Sequence, residues 1–563
     1  MKRIYKLFSL LLALTICFSL LGCSAKNKTA KKKTKKNNSS SHSDFSSEVE
    51  SSDFSSEMID EEPVEEDWDD SEDPEEPIDD ETVENDVTVQ NGAAPVIKNF
   101  MGLNAIYHCY TYLPDKFNRN YSEKEADLEF KRIAQMGMQT VRTYYSPSYA
   151  YNKQTNRFQW DSTEMKAVYK WMHKMQQCNL DISLNAAWTY HQIYEKNHWA
   201  PLTGLYVEGN DNKTAENYGN WMVDSLKAMK ANGCNNVKYL IMFTEPNKFT
   251  DWQASTDKSI TEVSDPAFEG WLLFTKTLDS ALKKAGLRSQ YKMVGPNDYG
   301  SLQTKEGTQI PPMFYQAVTR ANDYIDIFSG HYYLFINNVT DDTVADVADM
   351  YWKDRINLVK AKTGKPFWID EFNLSVANKA AETLGSYKEL PLQLGVALAY
   401  GMNHGIQNLM LWTVADQQWP DNTTYNNDGF VNGVQRHGVL PSLFESSLPR
   451  VSYYGTALLT KYFGNGSVFE TVSDYHASCE QNKNGNYSIL VVNSEVSSMR
   501  VNLNFEKNTG KKVYYRHCYN EAKQVTTFDA KLIGIDKAIQ ANGSGFTDVI
   551  PPRSVVIYTT EKY

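Results

Sequence analysis

Eight short apolar segments alternate with amphipathic stretches between residues 96 and 445, and no other feature constrains the fold of this 563-residue chain so strongly. In order they are 101–107, 139–144, 181–187, 237–243, 291–295, 324–330, 366–370 and 406–412. Each is of strand length and most are rich in apolar residues, which is how a strand buried on both faces reads. The stretches between them carry helix signals. Residues 124–136 and 389–403 have helical periodicity, and 265–286 has Asp265 as N-cap, Pro266 at the first helical position and Gly286 as the stop. Strand–helix repeats of this number and span predict a closed (β/α)8 barrel. A doubly wound open sheet is the alternative, but the chain has no GxGxxG or P-loop to give such a sheet a nucleotide site.

The texture changes near residue 446. One helix-like stretch from Pro449 to Gly464 leads into short alternating segments at 467–472, 487–492, 499–504, 512–516 and 554–559. That pattern predicts a β-sandwich behind the barrel. No Trp follows Trp419, so the sandwich reads as a structural companion rather than a carbohydrate-binding module.

The first 95 residues differ again. Lys2, Arg3 and Lys6 precede an apolar run to Leu21, the pattern of a secretory signal. It ends Leu20-Leu21-Gly22-Cys23, which resembles the bacterial lipobox and implies a lipid on Cys23. Residues 23–95 hold a Lys-rich, then Ser-rich, then acidic stretch too poor in apolar groups to offset its ordering entropy, and so read as a tether. The expected organisation is a signal over 1–22, a tether over 23–95, a barrel over 96–445 and a β-sandwich over 446–563. The expected location is the outer face of a bacterial membrane, held by the lipid.

Charge follows the same division. The net charge is −12, and residues 1–95 account for all of it with 10 basic and 22 acidic side chains; the rest of the chain holds 47 of each. A neutral body has no electrostatic footprint for nucleic acid, so that class is excluded. Five cysteines lie in the folded part, an odd number that implies no complete disulfide framework. Cys479 and Cys518 either pair across neighbouring strands or stay as buried thiols. No CxxC or HxxxH spacing supports a zinc site, and neither a cofactor nor an obligate protein partner is expected.

Two acids stand at informative positions. The fourth segment runs into Phe243-Thr244-Glu245-Pro246-Asn247, and the seventh into Trp368-Ile369-Asp370-Glu371-Phe372-Asn373. Barrel chemistry gathers at the C-terminal ends of the strands, and strands four and seven face each other across that mouth. Two carboxyl groups so placed are what glycosidic cleavage requires, one to protonate the leaving oxygen and one to meet the anomeric carbon.

At these residues the chain resembles clan A of the glycoside hydrolases. The resemblance covers about 97–563. Glu-Pro-Asn and the Tyr453-Tyr454 helix look most similar to the β-xylosidase/α-L-iduronidase family, while Asp-Glu-Phe-Asn is similar to the arabinofuranosidase branch. It implies that Glu245 is the acid/base, that Glu371 is the nucleophile and that anomeric configuration is retained. Arg142 on strand two is then the cation beside Glu371, Tyr333 after strand six a hydroxyl on it, and Trp412 at the end of strand eight a stacking platform for a sugar. Asn185, Trp188, Asn247 and His331 join the substrate-binding set, with Tyr190, His191, Trp252, Asp416 and Trp419 around the mouth. One position departs from the clan: Thr244 stands where an Asn usually reaches the sugar 2-hydroxyl, which puts that contact in doubt. The expected activity is retaining hydrolysis of an oligo- or polysaccharide. The alternatives are a catalytically impaired glycan-binding lipoprotein on the same barrel, and a two-lobed solute-binding lipoprotein, which the eight-strand rhythm disfavours.

Overall fold

A computed structural model describes residues 82–112, 122–186, 204–247, 266–300, 310–335, 341–375, 387–418, 430–431, 434–443, 445–524 and 526–562. Its centre is a closed, all-parallel barrel. The strands are β1 (Gly102–Ile106), β2 (Thr140–Tyr145), β3 (Asp181–Ala186), β4 (Val237–Ile241), β5 (Lys292–Tyr299), β6 (Ile327–His331), β7 (Phe367–Phe372) and β8 (Asn408–Leu411). They pair in sequence order, and β8 closes on β1. Eight helices follow them: α1 (Glu123–Gln135), α2 (Thr163–Gln177), α3 (Asp211–Ala231), α4 (Pro266–Lys284), α5 (Pro312–Arg320), α6 (Asp341–Lys362), α7 (Leu390–His404) and α8 (Val451–Lys461).

Local sequence explains these elements. Ser122 and Glu125 form a reciprocal capping box that starts α1 by satisfying two otherwise orphaned N–H groups. Every residue of β1, β2, β7 and β8 is buried, because one face meets the helices and the other fills the barrel. The barrel interior is plugged by Ile241, Val294, Ile327, Trp368 and Met410. Trp368 meets Tyr239 edge-on at 4.8 Å, so this end is a packed floor and the chemistry is confined to the other end.

Two irregularities shape that other end. Between β5 and β6 the register passes from Ser329↔Pro296 to Gly330↔Asp298, leaving Asn297 as an extra residue with φ +61°. Between β6 and β7 it passes from Gly330↔Ile369 to His331↔Glu371. Strict alternation places Trp368 and Asp370 inside β7 and turns Glu371 outward. The bulge re-aims Glu371 so that both acids face the mouth.

The β-domain is a sandwich. A seven-stranded sheet runs 97–100, 466–469, 476–482, 487–493, 554–559, 512–520, 537–541, and a four-stranded sheet runs 471–473, 83–89, 499–505, 545–550. Ile489 and Val491 face the sandwich core, while Leu490 and Val492 face the barrel helices. The continuous apolar run in 487–493 therefore reflects burial on both faces. The backbone of α7 approaches this sheet closely: a Cβ at Gly395 would lie 2.8 Å from the Val492 Cγ2, so any side chain there must displace that methyl.

Two expected boundaries move. The tether does not extend to residue 95, because Val83–Val89 and Ile97–Phe100 are strands of the two sheets. Asn85, Val87 and Val89 are buried while Glu84 and Asp86 are exposed, so the alternation of a half-buried strand was concealed within an acidic run. The barrel does not end at 445 either, since α8 is its eighth helix. The signal and Cys23 lie outside the described residues. Cys479 and Cys518 are free thiols rather than a pair, as are Cys109, Cys178 and Cys234. No helix among the described residues is long and apolar enough to cross a membrane.

Candidate active site

Arg142, in the middle of β2, organises the mouth. Its guanidinium is fully buried and forks in two directions. Nη1 donates to Glu371 Oε2 at 2.7 Å and to the Asp370 carbonyl at 3.1 Å. Nη2 donates to Asn185 Oδ1 at 2.6 Å and lies within 3.5 Å of Thr244 Oγ1 and Asn297 Oδ1. Burial alone pulls this guanidinium toward neutrality, but Tyr144 and the Glu371 and Asp370 carboxylates outweigh it, and the cation is held firmly.

Glu371 is gripped at both oxygens. Oε1 accepts the Tyr333 hydroxyl at 2.7 Å while Oε2 takes Arg142. Burial first, and then the Glu371 charge, push the Tyr333 phenol well above its ordinary value, so it stays protonated and remains a donor.

Glu245 reaches the same space from beyond β4. It adopts φ +45°, in the left-handed region, and its N–H donates to the Asn297 carbonyl at 3.0 Å. Two L-residues in that region, joined to each other, mark local backbone strain held by the surrounding structure. Its Oε1 lies 3.1 Å from His331 Nδ1, and that nitrogen is 3.5 Å from Glu371 Oε2. One donor atom each from Glu245, His331 and Glu371 lies within 4.8 Å of the other two, and all three residues are buried.

Behind them stand further acids. Asp370 accepts the Asn297 side-chain amide and lies 3.9 Å from His331 Nε2. Asp298 accepts the Tyr332 hydroxyl at 2.9 Å. Burial pushes its carboxyl up to about 7, against the opposing pull of Arg355 and the Tyr332 hydrogen bond. Thr244 donates its hydroxyl to Asn185 Oδ1 at 2.9 Å, so its single proton is directed into the protein.

One wall is aromatic. Trp412 sits with His108 at 5.6 Å and Tyr144 at 6.1 Å, and His108 stacks on Tyr144 at 4.6 Å. All three rings are buried, and Tyr144 also lies against the Arg142 guanidinium.

The sequence-predicted residues therefore divide. Arg142, Asn185, Thr244, Glu245, His331, Tyr333 and Glu371 converge, with Trp412 beside them. Arg142 and Asn185 are completely buried and bonded to protein groups, so they act on their neighbours rather than as open ligand contacts. Asn247 is bonded within the chain: its side-chain amide donates to the Tyr299 carbonyl and its Oδ1 accepts the Tyr299 N–H, bracing the ends of β4 and β5. Asp416 is likewise structural, bonded by both Nη atoms of Arg450 and the N–H groups of Gly438 and Ser442. Trp188, Tyr190, His191, Trp252 and Trp419 lie outside the described residues. Sequence reasoning missed His108 and Asn297. His108 follows a barrel strand, the same positional signal that singled out Glu245; Asn297 has no signal, because its role comes from a bulge.

The closed parallel barrel, with acids from β4 and β7 at one end and a sheet domain behind α7 and α8, defines a class. No protein-family model matches the sequence, and no curated protein does. Among solved structures the chain is similar to a GH30 endoxylanase from Clostridium papyrosolvens, at 14% identity over 84% of this chain and 100% of that one, with a TM-score of 0.53. It is similar in the same degree to a GH39 β-xylosidase from Caulobacter crescentus, at 11% identity over 85% and 99% of the two chains and a TM-score of 0.53. A GH39 enzyme from Xanthomonas axonopodis pv. citri gives 10% identity over 85% and 97%, again at 0.53. The chain has the clan A (β/α)8 fold of the GH30 and GH39 glycoside hydrolases, and at these identities the likeness is one of fold.

Proposed function

We propose that the protein is a retaining glycoside hydrolase acting on an oligo- or polysaccharide, with Glu245 as acid/base and Glu371 as nucleophile. The observation that carries this reading is the spacing of the two acids, whose facing atoms lie within 4.8 Å of each other. Retaining enzymes hold their carboxyl groups about 5–5.5 Å apart, whereas inverting enzymes need about 6.5–9.5 Å to admit a water. The Glu371 carboxylate, oriented by Arg142 and Tyr333, attacks the anomeric carbon while the Glu245 carboxylic acid gives its proton to the glycosidic oxygen, and the aglycone leaves. The glycosyl ester on Glu371 then meets a water whose proton passes to the Glu245 carboxylate, and the sugar departs with its configuration kept. Trp412, Tyr144 and His108 supply the surface on which a pyranose stacks. A lipid on Cys23 would hold this barrel at the outer surface of a bacterial membrane.

A second reading has one observation behind it. With its proton on Asn185, Thr244 offers a substrate only a lone pair and a methyl group. A glycan-binding protein without turnover fits that loss. Kinetics separate the two. Glu371→Ala lowers kcat on every substrate by on the order of 10^5-fold. Glu245→Ala abolishes turnover of poor leaving groups, spares activated aryl glycosides in the first step, and regains rate with azide. Wild-type-like turnover in either variant removes the assignment, and saccharide binding without hydrolysis by the wild type favours the second reading.

A further inference from the structure

We infer that Tyr332 is a positioning residue for both candidate acids, clamped between Asp298 and Arg355 so that its neighbours in the chain reach Glu245 and Glu371. Its own hydroxyl goes to Asp298 rather than to either acid. The residues beside it make the contacts. His331 Nδ1 lies 3.1 Å from Glu245 Oε1, and the Tyr333 hydroxyl donates to Glu371 Oε1 at 2.7 Å. The main chain here is also tied to β7: the Tyr332 N–H donates to the Glu371 carbonyl and the Leu334 N–H to the Asn373 carbonyl, both at 3.0 Å. A shift of Tyr332 therefore moves a neighbour of each acid at once, and a misplacement of about 1 Å at reacting groups costs up to about 100-fold in rate.

Three elements hold the ring. Its hydroxyl donates to Asp298 Oδ1 on β5 at 2.9 Å, and the Arg355 guanidinium of α6 lies over its face, 3.9 Å from the ring centroid. A Cβ at Gly300 would overlap the ring and one at Gly330 the hydroxyl, so a side chain at either position must displace Tyr332. All three members of the clamp are buried. Arg355 is the informative one. Its Nη1 donates to the Tyr351 carbonyl within its own helix, while Nε and Nη2, the edge that would fork onto a carboxylate, have no hydrogen-bond partner among the described residues. Arg516 of the sandwich, by contrast, places its donors on Asp536, Asp548 and the Val549 carbonyl. Burying a cation with idle donors is costly, and what offsets it here is the Tyr332 ring. Arg355 also draws the Asp298 carboxyl down against the larger upward push of burial, so the cation serves both ends of the clamp.

The kinetic half of this rests on the proposed glycosidase activity; the clamp itself does not. The test follows hydrolysis of an aryl glycoside and amide hydrogen exchange of the full chain in Tyr332→Phe, Asp298→Ala, the double variant and Asp298→Asn. Tyr332→Phe keeps the ring under Arg355 and removes only the hydroxyl, and should lower kcat about 10-fold with KM unchanged. Asp298→Ala should lose as much and the double variant no more, since all three break the same bond. Asp298→Asn keeps an oxygen for the hydroxyl and should stay within about 2-fold of the wild type. Exchange in Tyr332→Phe should quicken at 327–335 and 367–375 and stay as it is at 512–520. Losses that add, a loss carried by KM, or unchanged exchange at 327–335 overturns the proposal. Tyr332→Phe and Asp298→Ala cut the bond from its two ends, so either reads it if the other fails to fold. Quickened local exchange in a protein that hydrolyses no glycoside leaves the clamp standing and removes the enzymatic reading.

Discussion

The barrel mouth and the β-domain each bury a carboxylate beside an arginine, and they hold it by different means. In the sandwich, Asp548 is fully buried and receives Arg516 at 2.9 Å, Lys537 at 2.9 Å and the Tyr558 hydroxyl at 2.9 Å. Asp536 joins the same Arg516, so two acids meet two cations there. At the mouth Arg142 bonds the Glu371 carboxylate and the Asp370 main-chain carbonyl, while Glu245 meets His331. The backbone differs in the same sense. The strand at 512–520 pairs with both neighbours without a break in register, whereas β5 and β7 are bulged where they meet the site and Asn297 and Glu245 are left-handed. The contrast separates acids held on regular strands from acids held on bulged, left-handed backbone.

The sharpest way to break that contrast is to neutralise one acid from each region. Asp548→Asn leaves Arg516 with Asp536 alone and takes the acceptor from Lys537 and the Tyr558 hydroxyl, and should destabilise the fold by about 3 kcal/mol, since breaking a buried pair leaves its partners unmet. Its kcat should not change. Asp370→Asn keeps an acceptor for the Asn297 amide and should move stability by less than about 1 kcal/mol, in either direction. Urea denaturation of the two variants decides the matter, and equal losses would erase the distinction between the regions.

A third buried acid refines it. Glu480, on the strand at 476–482, accepts the Gly464 N–H at 2.6 Å, and its other oxygen has no hydrogen-bond partner among the described residues. Burial pushes its carboxyl up to about 7 from an ordinary 4.5, with the Gly464 hydrogen bond opposing. The unfolded chain releases this proton near 4.5 while the folded one keeps it until about 7. Stability from this group is therefore complete below 4.5 and is lost as pH rises through about 7. The loss is up to about 3 kcal/mol relative to Glu480→Gln, which lacks the titration. Denaturation midpoints of both proteins from pH 4.5 to 8 should diverge steadily and then run parallel. Parallel curves throughout would mean that the carboxyl is solvated.

The eight barrel strands were legible because each is a short apolar run between turn residues, and the positions of Glu245 and Glu371 followed from where such strands end. Arg142, Tyr333 and His331 followed from the same rule and from the family resemblance. Other features were hidden for physical reasons. The strand Val83–Val89 was masked because its exposed positions are acidic and its flank is a charge run. The bonds of Asn247 to Tyr299 and of Asp416 to Arg450 were equally hidden. Hydrogen bonds between segments distant in sequence leave no local pattern. The same is true of the bulges, which depend on how two strands pair rather than on either strand alone.

Asn297 is the residue through which that last point is testable, with the smallest expected effect. Its carbonyl holds the Glu245 N–H, while its side chain donates to Asp370 and lies 3.4 Å from Arg142. It thus touches the supports of both acids without touching the reacting groups, which makes it a positioning residue. Asn297→Gly removes only the side chain, because glycine adopts φ +61° without strain and the carbonyl still holds Glu245. Asp370 then loses a donor and Arg142 a neighbour, so the guanidinium settles less firmly against Glu371. The expected result is a fall in kcat of about 10-fold, about 1.4 kcal/mol of transition-state stabilisation, with KM unchanged. Asn297→Ala adds the left-handed strain of about 1–2 kcal/mol and should lower stability as well. A glycine variant with wild-type kcat would show that the bulge serves the backbone of Glu245 alone, and that the link between the two acids through Asn297 carries no energy.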